Sequence, residues 1–233
     1  MPTRSTRILL AAVAILFTRV LLGILLEYRW YFPADFDKSA FLSGRRYTFT
    51  GLYHAFFYSH ILSGPVAIVL ASFLILSGGR AQFRCWHRLA GRALVLIVLC
   101  LLFPSGLVMA YQAYAGPPAA AGFGILSLLT AAAALMTAYH ARARNFALHR
   151  RWAERCFLLL ISPLILRLIA GAVIVMDIES ELTYRLNAWL SWLVPLVIYE
   201  MLRSRKNFAV PPLWIIVVDE VTSPWRESRP RDS

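Results

Sequence analysis

The chain has 233 residues, of which 59% are hydrophobic and 15% are charged, and its formal net charge is +12. Soluble domains carry about 25% charged residues, so the composition excludes an ordinary soluble domain. The basic residues lie beside apolar blocks, which indicates a membrane topology signal and not a nucleic-acid-binding surface. The three cysteines, Cys85, Cys100 and Cys156, have no paired spacing and predict neither a disulfide framework nor a zinc site.

Apolar blocks of about 20 residues, the length that spans a bilayer as a helix, recur along the chain. They predict an all-α integral membrane bundle of about six transmembrane helices. The first block resembles a signal peptide, but we expect a retained helix because no small-residue cleavage site follows Leu26. The predicted spans are roughly residues 8–26, 51–77, 89–111, 121–139, 152–176 and 188–202. Together they form a transmembrane domain over residues 1–206, and a tail of residues 207–233 follows.

The distribution of lysine and arginine predicts the topology. Seventeen of the 24 basic residues lie at the N-terminus, in the turns after the second and fourth spans, and in the tail. With six spans, these four segments lie on one side of the membrane. Because basic residues accumulate on the cytoplasmic side, both termini and the tail are predicted to be cytoplasmic. Residues 27–50, on the opposite side, are rich in aromatic residues and are expected to lie along the membrane interface.

Two arginine-rich segments, residues 86–92 and 149–155, mark the cytoplasmic boundary. His87 and Gly91 share one helix face because they are four residues apart, and His149 begins the second segment. One interpretation is anchoring and lipid-phosphate binding, which needs only arginine and tryptophan. Anchoring does not require histidine, however. A neutral imidazole suits metal coordination, proton transfer or hydrogen bonding to a quinone.

Three ionisable side chains, Arg19, His60 and Arg167, are predicted to lie within spans, at similar levels in the outer half of the bilayer. Such groups are costly in a membrane and are therefore functional candidates. No carboxylate within a span reaches this level, which favours an anionic partner such as a carboxylate, a phosphate or a haem propionate. The alternative is that the arginines extend to the interface or pair with acidic residues of the outer loops.

At these residues the chain resembles a family of bacterial multi-pass membrane proteins catalogued as domain of unknown function 2306. The resemblance covers about residues 50–203 and implies a helical protein of the bacterial inner membrane, without an established activity. The histidine–arginine turns are also similar to those of haem-linked membrane families such as b-type cytochromes. The residues that carry the family resemblance are His60 with Gly64, the turn from His87 to Arg92, His149 to Trp152 with Arg155, Arg167 and Glu200.

Two hypotheses follow for the function. The first is a redox protein that binds haem b or a quinone, with histidines on the iron and arginines on the propionates. Its candidate iron ligands are His60, His87 and His149, and its other candidate cofactor-binding residues are Arg88, Arg92, Arg150, Arg155 and Arg167. Near the cytoplasmic face His140 is a further candidate ligand. His60 has no histidine partner within a span, which leaves a methionine such as Met109 as its second ligand.

The second hypothesis is a non-redox transporter, lipid-binding protein or assembly factor that binds an anionic small molecule. Interruptions at Gly64-Pro65 and at Pro104 favour it, because broken helices often line binding sites in transporters. An enzyme of a soluble type is disfavoured, since no Gly-rich phosphate loop, nucleophile elbow or HExxH motif is present. Under both hypotheses the chain contacts membrane lipids and no nucleic acid.

Overall fold

The computed structural model describes residues 4–39, 41–43 and 45–207, so most of the predicted tail lies outside the described residues. Apart from short turns and loops, the described residues are helical. The α-helices are α1 (Arg4–Glu27), α2 (Gly51–Ser77), α3 (Arg84–Ile97), α4 (Phe103–Tyr111), α5 (Pro117–Arg142), α6 (Phe146–Leu160), α7 (Ser162–Val175) and α8 (Glu181–Asn207). This confirms the predicted all-α class.

Five helical stretches of the described residues are long and apolar enough to cross a membrane. They are Ala11–Trp30, Gly51–Ser77, Ala81–Tyr111, Pro117–Arg142 and Phe146–Val175, and they confirm the first five predicted spans. The sixth predicted span, residues 188–202, lies within α8. This helix has 27 residues but is not one of the five apolar stretches, because polar residues interrupt its sequence.

Two of the spans are interrupted helices. A π-helical turn, Val98–Leu102, joins α3 to α4 just before Pro104, and Ile161 separates α6 from α7 just before Pro163. Proline lacks an N–H and collides with the preceding turn, which accounts for both breaks. By contrast, α2 continues through Gly64 and Pro65 as one helix.

The helix α2 is central to the packing, since it contacts α3, α4 and α6. The helix α5 packs against α4 and α6, and α1 packs against α7 through Ile161, Leu164 and the apolar residues of α1. The chain divides into two compact units within α8, after Leu193. In the second unit, Arg203 Nη1 donates a 2.8 Å hydrogen bond to the Tyr199 hydroxyl.

Glycine allows close helix contacts at two positions. A Cβ on Gly106 of α4 would lie 2.4 Å from Ser127 Oγ of α5, and a Cβ on Gly122 of α5 would lie 3.0 Å from the Ala188 carbonyl oxygen. The first distance is too short for a side chain unless Ser127 moves, and the second would require a shift of a few tenths of an ångström. Small residues of this kind let membrane helices approach closely.

The described residues between 28 and 50, together with the start of α2, form a compact aromatic cap. Its buried core consists of Tyr31, Leu42, Phe49, Tyr53 and Phe57, and Phe57 is only 1% exposed. The ring centroids of Tyr31 and Phe57 lie 5.3 Å apart in an edge-to-face arrangement, a favourable aromatic geometry. We call this end of the bundle the cap end and the opposite end, where α2 meets α3, the histidine end.

A turn in the cap is stabilised by Asp35. Its carboxylate accepts hydrogen bonds from the backbone N–H groups of Asp37 and Lys38, both at 3.1 Å, and lies 3.5 Å from the Lys38 ammonium. Desolvation raises the pKa of Asp35, but these donors and the Lys38 charge outweigh it and hold the pKa below its usual value.

Candidate functional site

At the histidine end, the structure brings His87 of α3 and His149 of α6 together. Their ring centroids lie 6.4 Å apart and their planes are inclined by 69°. The two arginine-rich segments therefore meet at one end of the bundle, although 61 residues separate the two histidines in the sequence. Of the three histidines predicted near this face, His140 instead packs on the ring of Tyr139, at 5.1 Å.

Each of these two histidines is held through its Nδ1 atom. His149 Nδ1 lies 2.9 Å from the Thr137 carbonyl oxygen, which only accepts, so Nδ1 donates the hydrogen bond. His87 Nδ1 lies 3.0 Å from Ser77 Oγ. The Ser77 hydroxyl also lies 3.5 Å from the carbonyl oxygen of Leu74, and when it donates there, its oxygen accepts from His87.

This arrangement presents both Nε2 atoms as ligands. Within the described residues, neither Nε2 forms a hydrogen bond. Metal-binding histidines commonly donate their other N–H to a backbone carbonyl or a similar acceptor, which fixes the ring orientation and the tautomer. The sequence identified the two histidines but not Ser77 and Thr137, which orient them from α2 and α5.

The predicted arginines surround this pair unevenly. Arg88, Arg92 and Arg150 are exposed, and Arg150 Nε donates to Glu154 Oε1 at 2.9 Å. Arg155 places its guanidinium 4.7 Å above the ring of Trp152.

Gly91 provides room beside His87. A Cβ on this residue would meet only Leu74 Cδ2, at an ordinary 3.9 Å. Helix packing therefore does not require glycine here.

His60 lies far from the pair, so the three predicted iron ligands do not form one site. His60 and Ser77 are 17 residues apart on α2, about 25 Å at 1.5 Å per residue. His60 Nδ1 lies 3.0 Å from Ser105 Oγ, and Ser105 in turn donates to the Leu101 carbonyl oxygen beside the π-helical turn. The described part of the chain contains no group of three or more histidine, cysteine or acidic side chains that could hold a metal ion.

The other predicted residues lie in different surroundings. Arg19 is exposed on α1, and Met109 packs against the aromatic cap. Arg167 is exposed on α7, and its charge acts on Tyr31 of the cap. Burial raises the pKa of Tyr31, the charge of Arg167 lowers it, and Glu27 raises it further.

Sequence analysis missed Arg45, which lies at the same end as Arg167. Arg45 Nη1 donates to the Tyr53 hydroxyl at 3.2 Å and to the Gln112 carbonyl oxygen at 3.0 Å. Burial raises the pKa of Tyr184 at the start of α8, and the charges of Arg45 and Arg167 both act against that rise. The cap end thus contains two guanidinium groups that act on one tyrosine hydroxyl.

The fold and its two polar ends define a multi-pass helical membrane protein. Residues 57–203 match the family model described as Predicted membrane protein (DUF2306). The match covers more than half of the chain, and the chain belongs to this family, as the resemblance implied. It includes His60, both histidine–arginine segments, Arg167 and Glu200. The comparisons with curated proteins and with solved structures gave no significant match.

Proposed function

We propose that this chain is a haem b-binding redox protein of the bacterial inner membrane, in which His87 and His149 ligate the haem iron. The single observation that supports this function is the histidine pair on facing helices, each held through Nδ1 and presenting Nε2. When bound, the haem would supply one-electron chemistry. The residues of the chain position the group and balance its charge.

The distance between the rings fits a shared metal ion. Two imidazoles that shared one metal ion, with metal–nitrogen bonds of about 2.0 Å and each nitrogen about 1.1 Å from its ring centre, would have centroids about 6.2 Å apart. The observed separation is 6.4 Å. Gly91, one turn from His87, carries no side chain that would obstruct a flat macrocycle. The exposed guanidinium groups of Arg88 and Arg92 suit the propionates, because guanidinium binds carboxylates through two hydrogen bonds.

A quinone fits this pair less well. Quinone carbonyl oxygens only accept hydrogen bonds, whereas a neutral histidine that donates from Nδ1 presents a lone pair at Nε2. The carbonyl partner gives His149 this arrangement, and His87 shares it when Ser77 Oγ accepts from its Nδ1. A metal ion accepts such a lone pair, so the hydrogen bonds favour iron over a quinone. A membrane quinone remains the expected redox partner of the proposed haem protein.

The proposal includes six spans, with both termini and the histidine end in the cytoplasm. Its support is the contact between the two arginine-rich segments, which concentrates positive charge at one end of the bundle. Reporter fusions test this orientation. A green fluorescent protein fused after Ser233 should fluoresce, and alkaline phosphatase inserted beside Lys38 should be active. The reverse pattern would contradict the proposed topology.

The haem proposal is tested by visible spectroscopy of protein purified from cells with an adequate haem supply. The reduced-minus-oxidised spectrum of the wild type should show sharp Soret and α bands of a six-coordinate haem. His87→Ala and His149→Ala should each lose this spectrum. His140→Ala is the matched control, because it removes a third histidine near the same end that does not join the pair, and it should retain the bands.

Two results would contradict the haem proposal. One is a featureless spectrum from wild-type protein that is inserted and monodisperse. The other is a double variant, His87→Ala with His149→Ala, whose spectrum equals that of the wild type. Gel filtration and circular dichroism of each variant separate loss of haem from loss of fold.

A further inference from the structure

A second polar site lies at the cap end, where Tyr53 is about 36 Å along α2 from Ser77 of the histidine end. We call it the cap-end cluster and define it by Arg45, Tyr53, Arg167 and Tyr184. These residues come from the cap, from α2, from α7 and from α8. Their convergence depends on tertiary packing, and no local motif brings them together.

Arg45 joins three parts of the fold. Its Nη1 atom donates to the Tyr53 hydroxyl of α2 and to the Gln112 carbonyl oxygen after α4, at 3.2 and 3.0 Å. Its guanidinium carbon lies 4.7 Å from the ring centroid of Phe41 in the cap. Its Nε and Nη2 atoms form no hydrogen bond to the described residues and remain available as donors.

Arg167 reaches the same region from α7. Beside Arg167, the Leu166 carbonyl oxygen accepts a 3.0 Å hydrogen bond from Asn187 Nδ2, which joins this part of α7 to the first turns of α8, where Tyr184 lies. The positive charges of Arg45 and Arg167 both act to lower the pKa of Tyr184. The Tyr184 ring packs edge-to-face against the ring of Tyr114, with their centroids 5.3 Å apart. The ring contact positions Tyr184 beside the turn that follows α4, the same turn to which Arg45 donates.

Carboxylates do not balance this charge. Within the described residues, neither Arg45 nor Arg167 forms an ion pair with a carboxylate. The negative charge of Glu27 raises the pKa of Tyr31, and Glu27 forms no ion pair with Arg167 among the described residues. The occupied acids are Asp35 with Lys38, Asp37 with Arg46, and Glu181 with Arg185.

An unpartnered amide adds to the cluster. Gln112, whose backbone accepts from Arg45, also has a buried side-chain oxygen without a partner among the described residues. Oxygen and nitrogen of an amide exchange places by a half-turn of the side chain, so the same position offers an NH₂ donor.

We propose that Arg45 and Arg167 together bind a phosphate group, with the hydroxyls of Tyr53 and Tyr184 as additional hydrogen-bond partners. Two guanidinium groups match the roughly −1.5 to −2 charge of a phosphomonoester better than the single charge of a carboxylate. The phosphate belongs either to a lipid headgroup or to a soluble molecule. This site is independent of the proposed haem function.

The test is isothermal titration of the full-length protein in neutral detergent with two probes, sodium phosphate and dihexanoylphosphatidic acid. Arg45→Gln and Arg167→Gln should each weaken binding by about 10-fold or more, because each removes a charge-assisted hydrogen-bonding group. Arg46→Gln is the matched control. Arg46 is a neighbouring exposed arginine that pairs with Asp37 at 3.5 Å, and its loss should leave binding unchanged.

The two probes distinguish the sources of the phosphate. Binding of the lipid probe alone identifies a lipid headgroup, and equal binding of both probes identifies a soluble phosphate. If neither probe binds the wild type, or if both glutamine variants bind like the wild type, the proposal is wrong. Arg45→Gln removes contacts that hold the cap. If this variant fails to fold, Arg167→Gln decides the result, because Arg167 is exposed.

The haem spectrum makes the two proposals separable. His87→Ala and His149→Ala should bind both phosphate probes like the wild type, while Arg167→Gln should keep the haem bands. A loss of phosphate binding in the histidine variants would contradict the assignment of the phosphate to the cap end.

Discussion

Gly106→Ala is expected to destabilise the contact between α4 and α5. The added Cβ would lie 2.4 Å from Ser127 Oγ and 3.3 Å from Ser127 Cβ. The hydroxyl moves away by rotation about one bond, but the Ser127 Cβ is fixed to the backbone, so the two helices must separate slightly. Overpacking costs about 1–3 kcal/mol, and alanine recovers about 0.5–1 kcal/mol of helix propensity, which gives a net destabilisation of about 1–2 kcal/mol.

Equilibrium unfolding in mixed detergent micelles measures this change against two control variants. Adding Ser127→Ala removes the 2.4 Å contact and retains the 3.3 Å contact, so the double variant should recover part of the lost stability. Ser127→Ala alone provides the reference. The reasoning fails if Gly106→Ala is as stable as the wild type, or if the second substitution recovers nothing.

Three further variants probe the histidine end. Ser77→Ala removes the acceptor that orients His87, and should weaken haem binding by about 10–100-fold in a titration of haem-free protein. Gly91→Ala meets no tight contact, so it should raise the free energy of unfolding of the haem-free protein by up to about 1 kcal/mol. The same variant purified from cells with an adequate haem supply should contain less haem than the wild type. Asn145→Ala removes the side-chain acceptor of the Leu148 N–H at the start of α6, and should cost about 1 kcal/mol in the same unfolding measurement. An unchanged measurement would contradict each expectation. The measurement is haem affinity for Ser77→Ala, haem content for Gly91→Ala and the free energy of unfolding for Asn145→Ala.

Hydropathy predicted the long spans well because an apolar block of sufficient length is itself the physical requirement for crossing a membrane. The second span, predicted at residues 51–77, is the helix Gly51–Ser77. The start of α8 was predicted seven residues too late. There, Ser180 Oγ accepts from the Thr183 N–H, and Glu181 pairs with Arg185 at 2.8 Å. These polar contacts extend the helix without contributing to hydropathy.

The sequence showed which groups were candidates but not which of them meet. His87 and His149 became a pair because α3 and α6 both pack against α2, a contact that no local pattern encodes. The acceptors Ser77 and Thr137 lie 10 and 12 residues from the histidines that they orient. Arg45 lay in a segment interpreted as an interfacial loop. Its importance appears only once the cap is folded against α2 and the end of α4.

The separation of the two ends limits how the proposed redox protein would work. Among the described residues, His60 faces Ser105 and Gly106 and has no histidine partner, so the cap half of the bundle does not offer the paired ligands of a second haem. A single haem at the histidine end provides no chain of centres across the membrane. Under the proposed function, electrons would therefore enter and leave on the same side of the membrane. The positive charge of the arginine-rich segments there would favour an anionic or acidic partner over a basic one.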